Sequence, residues 1–207
     1  MNSENPYYLG FTAVSLRPEL ARIVAEVFFA SGDWDITRAN VLSRNSLQFK
    51  SPLSARRVEG ELRLRLKMLT SEQLHLLAAS TADDRTAMAW LAVTKSSALH
   101  FEFAADVLRG KLALYDDTLR PSDYESFIEE RSAGHPELAG LAESTRVKIR
   151  NVTRRMLLEA GLLTSGDFLG RVQRPVLSPD AVVAISSDDP RWLAGFLVPD
   201  SEIHSTR

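Results

Sequence analysis

The stretch STRVKIRNVTRRMLLEAGLL, residues Ser144 to Leu163, decides how the chain is read. It reads as one helix. Ser144 stands where an N-cap hydroxyl accepts from the free amides of a first turn, and Gly161 stands where a helix of this length needs a left-handed residue past its end. With 3.6 residues per turn, Ile149, Val152, Met156 and Ala160 fall in one arc, and Arg146, Lys148, Arg150, Asn151, Arg154 and Arg155 face the other way. Leu157, Leu158, Leu162 and Leu163 make the C-terminal half apolar nearly all round, so that half is expected to be buried while the basic half stands in solvent. A major-groove reading helix is built in this way.

The segments on either side fit. Pro121, Ser122 and Glu125 predict a capping-box start for a helix carrying Tyr124, Phe127 and Ile128, and Gly134 and His135 then break the chain. A short second helix is expected from Pro136 to Ala142, with Leu138 and Leu141 inward. Three helices in sequence, the third basic, predict a helix-turn-helix. Thr164 to Arg174, with Gly166, Gly170, Arg171 and Arg174, is either a small two-stranded wing or a loop, the wing being slightly favoured. A solvated basic face on an ordinary amphipathic helix is the competing explanation of the same pattern.

The chain has 207 residues, 44% apolar and 25% charged, and a net charge of −2. That charge argues against a nucleic-acid binder, but its distribution argues the other way. Ile36 to Leu69 carries a net +6 and Ser144 to Pro175 a net +5, while Glu102 to Glu137 between them carries −5. Surfaces charged only for solubility intersperse the signs, so this blockiness favours a polyanion-binding face on each of two lobes. The division is placed near residue 115, giving an N-terminal lobe (1–115) and a C-terminal lobe (116–207). The absence of cysteine excludes disulfides and thiolate metal sites and, with no signal peptide visible, points to the cytoplasm. The densest apolar run, Ala87 to Val93, is far shorter than the ~20 residues of a membrane span.

In the first lobe, Asn5 to Thr12 is an aromatic arm expected to pack against a lobe. Arg17 to Ala30 is an amphipathic helix with Leu20, Ile23, Val24, Val27 and Phe28 as its stripe, and Asp35 is expected to cap a short helix to Leu42. Ser51 and Pro52 open a long helix to about Leu69, with Ala55, Val58, Leu62, Leu66 and Leu69 inward and Arg56, Arg63 and Lys67 along one strip. Arg57 and Arg65 read equally well as cations snorkelling around a core helix. Short helix, loop and basic helix again give a helix-turn-helix-like order. A helix from Ser96 or Ser97 is expected to be interrupted at Gly110, and Asp180 to Ile185 and the Trp192 segment are expected to cover the second lobe.

Catalytic and metal motifs are missing from the sequence. The histidines, His75, His100, His135 and His204, have no i, i+4 pairing, and no Walker loop, dinucleotide fingerprint or nucleophile elbow occurs. No enzyme, cofactor, metal or small-molecule substrate is expected.

YYLGFTAVSLRPELARIVAEVFF near the start, Trp34 and Asp35 before VLSRNSLQFKS, and TRVKIRNVTRRMLLEAGLL followed by Leu177, Ser178 and Pro179 together give a chain that resembles, over nearly its whole length, the small BrxA-type component of BREX bacteriophage-defence systems. The resemblance implies a compact all-helical protein, compared in outline with the NusB-like antitermination fold, that binds double-stranded DNA within a multi-subunit system. No family active site carries over.

The expectation is therefore a mainly α, two-lobed, non-enzymatic protein that binds double-stranded DNA, with other BREX components as further partners and no membrane. Arg146, Lys148, Arg150, Asn151, Arg154 and Arg155, with Ser144 and Thr145 at the helix N-terminus and Arg171 and Arg174 beyond it, are the candidate contacts of the second lobe. Arg38, Arg44, Lys50, Arg56, Arg63 and Lys67 are those of the first. The alternatives are an RNA-binding antitermination-type regulator, disfavoured because neither basic helix holds an aromatic for base stacking, and a subunit that docks an acidic protein.

Overall fold

A computed structural model describes residues 6–205, in which α-helices dominate and the only sheet among the described residues has three short strands. Helix α1 (Pro18–Ser31) starts with proline at its first position and ends at Gly32, whose left-handed φ of 68° lets its N–H bond Phe28 O. Helix α2 (Trp34–Ser43) is capped by Asp33, which accepts from the amides of Asp35 and Ile36, so the expected cap at Asp35 is corrected by two positions. Ser51 caps α3 (Pro52–Leu66), as expected. Thr70 and Gln73 form a reciprocal box on α4 (Ser71–Ala79), and Thr81 caps α5 (Ala82–Ser96), whose Met88–Thr94 run is wholly buried.

The next helix is continuous but not uniform. It runs as α6 (Ala98–Glu102), a π-helical turn (Phe103–Leu108) and α7 (Arg109–Ala113). The expected break at Gly110 is absent, since Gly110 lies inside α7 and the irregularity is the π turn before it. Tyr115, fully exposed with φ 56°, then turns the chain into β1 (Thr118–Leu119). Next come α8 (Pro121–Ser132), α9 (Pro136–Ala139), α10 (Glu143–Glu159), β2 (Leu163–Thr164) and β3 (Gly170–Val172). Helix α8 begins before the expected Ser122 box, with the Asp123 carboxylate accepting from Arg120 N at 2.7 Å, and α9 ends three residues earlier than expected.

The strand order is β1-β3-β2, all antiparallel, with Leu163 opposite Val172 and Thr118 opposite Arg171. The residue that permits this closure is Gly170. Its φ is 129°, and a Cβ there would lie 2.5 Å from Thr164 O. Residues 163–172 therefore form the hairpin that the sequence slightly favoured, and β1 extends it to a sheet.

Helix α11 (Pro179–Ser186), a 3₁₀ segment (Pro190–Phe196) and α12 (Asp200–Ser205) close the described chain. The expectation that the first two cover the second lobe is corrected. Gln73 Nε2 donates to Ala184 O and Trp90 Nε1 to Gly195 O, each at 2.9 Å, and Lys95 pairs with Asp188 at 2.7 Å, so these segments sit on α4 and α5. One apolar core, from Tyr7 through Trp90 and Met156 to Ile203, joins all of these elements.

The aromatic arm is built into that core, apart from Asn5, which lies outside the described residues. Tyr7 stacks on His135 at 4.0 Å, its N–H donates to Glu137 and its hydroxyl to Glu102. Phe11, in a 3₁₀ turn (Gly10–Ala13), meets the buried His100 edge-on. His100 bridges Ser97 (2.8 Å) and, on α10, Thr153 (3.4 Å), and burial with the nearby Arg65 charge pushes its imidazole down to about 3, so it is neutral.

Candidate nucleic-acid interface

Helix α10 carries the candidate site, and its ends differ from expectation in an instructive way. Its N-cap is Ala142, which has no side chain to cap with, and the amides of Thr145 and Arg146 bond back to Ala142 O. Ser144 is thus inside the first turn and is not the cap; the helix begins at Glu143. At the other end Gly161 has the expected left-handed φ of 73°, with Gly161 N–H on Leu158 O and Leu162 N–H on Leu157 O, the double bond of a Schellman cap. Leu162 and Leu163 are buried but leave the helix, the latter into β2.

The polar side of α10 is two rows. Arg146, Arg150 and Arg154, spaced by four, form a flank that is half-buried and engaged. Arg146 donates to the carbonyls of Leu138 and Ala139 at the end of α9, Arg150 pairs with Glu125 of α8 at 2.6 Å, and Arg154 Nε donates to Leu169 O of the hairpin at 2.6 Å. These three guanidiniums bolt α10 to its neighbours. Ser144, Lys148, Asn151 and Arg155, at i, i+4, i+7 and i+11, form the outer row and are exposed. Lys148 and Arg155 have no side-chain partner among the described residues. The buried face consists of Ile149, Thr153, Met156 and Leu157, with Val152 half-buried. Thr145 is half-buried in the first turn.

The hairpin cations are paired. Arg171 meets Asp117 through Nε (3.0 Å) and Nη2 (2.5 Å), and Arg174 forms a two-pronged pair with Glu202; hydrogen bonding to these carboxylates raises both guanidiniums above their ordinary value. The hairpin tip, 165–168, holds Asp167 and an exposed Phe168 at φ 58°, and no cation.

The first basic region divides similarly. Arg65 is 3% exposed, bonded to Glu61 at 2.9 Å and to the carbonyls of Ser15 and Val14 at 2.8 and 2.9 Å. Burial pulls its guanidinium below the ordinary value and Glu61 opposes the pull. Arg65 is a core cation and does not snorkel. Arg63 is half-buried on the fully buried Glu59 at 2.8 Å, with Arg38 reaching the same carboxylate at 3.9 Å. Arg63 is therefore not on the same free strip as Arg56 and Lys67. Arg44, Lys50, Arg56, Arg57 and Lys67 are exposed without a side-chain partner among the described residues. Arg17 is likewise exposed without a side-chain partner among the described residues, while its main-chain N–H donates to Glu159, 142 residues away in the chain.

Inside the angle of α8, α9 and α10 lies a cleft of about 570 Å³ with an apolar floor that includes Ile128, Leu138 and Val147 and with Glu129 and Glu143 on its rim. The hollow is of mixed charge, because Arg146 and Arg150 of α10 line it together with Glu125, Glu129 and Glu143.

Comparison with known proteins bears on this arrangement. The BrxA family model matches residues 5–189. The chain belongs to the BrxA family. It is similar to the BREX protein BrxA of Escherichia coli O9:H4 (strain HS), 26% identical over 141 residues that cover 68% of this chain and 66% of that one, just under two thirds of its length. It is also similar to the BREX protein BrxA of Bacillus cereus (strain H3081.97), 23% identical over 145 residues, 70% of this chain and 72% of the other. The crystal structure of an uncharacterized protein from Magnetospirillum magneticum superposes with a TM-score of 0.81 at 19% identity, covering 93% of this chain and 98% of that one, so the two share their fold nearly end to end. No helix among the described residues of this BrxA-family chain is long and apolar enough to cross a membrane.

Proposed function

We propose that this chain is the double-stranded DNA-binding component of a BREX bacteriophage-defence system and that it acts without catalysis of its own. The observation that carries the reading is the outer row of α10. Two unpaired cations flank an exposed amide, Lys148–Asn151–Arg155, on the third of three helices (α8, α9, α10) that lie between β1 and the β2–β3 hairpin, an arrangement we read as helix-turn-helix-like. In that arrangement Lys148 and Arg155 neutralise phosphates and Asn151, whose amide can pair with an adenine edge, enters the major groove. Arg146, Arg150 and Arg154 set the helix rather than touch DNA. Arg44, Lys50, Arg56, Arg57 and Lys67 supply further backbone contacts from α2, α3 and the loop between them. The hairpin tip, with Asp167 and no cation, adds none.

The test is fluorescence anisotropy with labelled duplex DNA and matched single-stranded RNA at several salt concentrations. Duplex preference is expected, with a log–log salt slope that Lys148→Ala plus Arg155→Ala makes shallower by about 1.8, about 0.9 per phosphate lost. RNA preference would replace this reading with the antitermination-type one. A specific observation favours a second reading: the apolar cleft between α8, α9 and α10, edged by both glutamates (Glu129, Glu143) and arginines (Arg146, Arg150), is suited to an amphipathic segment of another protein that carries both charges. Association with BREX components that survives where no nucleic acid binds would support it.

A further inference from the structure

Four residues join the two basic regions. Val14 to Arg17 run between the 3₁₀ turn and α1, and both basic helices hold them: Arg65 of α3 takes the carbonyls of Val14 and Ser15, and Glu159 of α10 accepts from Leu16 N–H at 2.7 Å and Arg17 N–H at 3.4 Å. Arg17 pays for this with a left-handed backbone, φ 52° and ψ 54°, immediately before Pro18. Both features are unfavourable for a long side chain, and nothing local calls for arginine there. Tertiary bonds impose the conformation, and strain of this kind gathers where a side chain is being aimed.

Its direction is outward. The Arg17 side chain is exposed and has no partner among the described residues. Glu159 is exposed and lies one turn beyond Arg155 on the outer row of α10. Where that row turns negative, the carboxylate is occupied by two main-chain N–H groups, one of them that of Arg17 itself. At 1.5 Å per residue, Lys148, Arg155 and the Glu159 position span about 16 Å of α10, so Arg17 extends a row of two cations to three.

We infer that Arg17 is a phosphate-contacting residue of the DNA interface and that Glu159 is the positioning residue that places it. The inference rests on the duplex-binding reading above. The carboxylate of Glu159, although negative and next to the interface, strengthens binding.

The experiment measures duplex DNA binding by anisotropy across salt, with thermal unfolding in parallel, for the full chain and for Arg17→Gly, Arg17→Lys, Glu159→Ala and Lys148→Ala. Arg17→Gly removes the charge and relieves the backbone, so its unfolding midpoint is not lowered, its salt slope is shallower by about 0.9 and its affinity at 0.1 M salt is about eightfold weaker. Arg17→Lys keeps the slope. Glu159→Ala also weakens binding, whereas removal of a negative charge by itself would tighten it. Unchanged binding by Arg17→Gly while Lys148→Ala is weakened overturns the inference and leaves the reading of α10 standing. Equal losses in Arg17→Gly and Arg17→Lys with a lowered midpoint, or tighter binding by Glu159→Ala, also overturn it. If the unaltered chain does not bind duplex at low salt, the parent reading falls and takes this one with it.

Discussion

Helices α3 and α10 have similar basic content and use it differently. In α3 the engaged cations point inward: Arg65 and Arg63 are held on Glu61 and Glu59, carboxylates four residues earlier on the same helix, and Arg65 also reaches the arm. In α10 the engaged cations point sideways, and each grips a different element, α9, α8 or the hairpin. The first helix uses charge to make a buried joint, the second to fix an angle between surfaces. In both, a count of cations overstates the free ones at least twofold, since two of four are free in α3 and two of five in α10.

The largest expected effect breaks the α3 side of this contrast. Arg65→Met leaves Glu61 buried without its partner and should cost about 3–5 kcal/mol in urea unfolding, whereas Arg65→Lys, unable to serve both Glu61 and two carbonyls, should fall between. Arg154→Ala on α10 should cost less, about 1–2 kcal/mol, and should speed hydrogen exchange in the hairpin 163–172 ahead of the rest of the chain.

A third test concerns the joint between the halves. His100 has a depressed value near 3 when folded, so between about 6.5 and 3 the unfolded chain binds a proton that the folded chain does not. Stability should therefore fall with pH below about 6.5 by at most about 1.4 kcal/mol per unit from this group, and His100→Asn should flatten that limb in thermal scans. The smallest effects sharpen the comparison. Lys148→Ala and Arg155→Ala should each stay within about 0.5 kcal/mol in stability while weakening duplex binding. Asp117→Asn should leave the unfolding midpoint unchanged and, by releasing Arg171 toward phosphate, steepen the salt slope.

Much of the fold was legible because it is local. Ser51 caps the helix it precedes, Gly161 terminates α10, and Gly170 marks the closure of the hairpin. Failures arose where a distant element decides. Helix α10 starts at Glu143 because its first turn is set by packing and by Arg146 on α9, so Ala142 serves as a cap that no propensity would select. The strand at Thr118–Leu119 is two residues long and exists through pairing with residues 170–171. For the site, the division of α10 into an engaged row and a free row was within reach of the sequence, since 146, 150 and 154 share one spacing and 144, 148, 151 and 155 another. Which row would be free was not, because Glu125 and Leu169 O are folded against it from elsewhere.

The arm has a temporal consequence. Tyr7 and Leu16 find their acceptors in Glu137 and Glu159, which lie 130 and 143 residues further along. On a ribosome adding about 5–20 residues per second, Tyr7 and Leu16 must wait roughly 7–30 seconds for these partners, until α10 emerges. Closure of the arm is then a slow, long-loop event that cannot precede α10, and it brings the two basic helices into register.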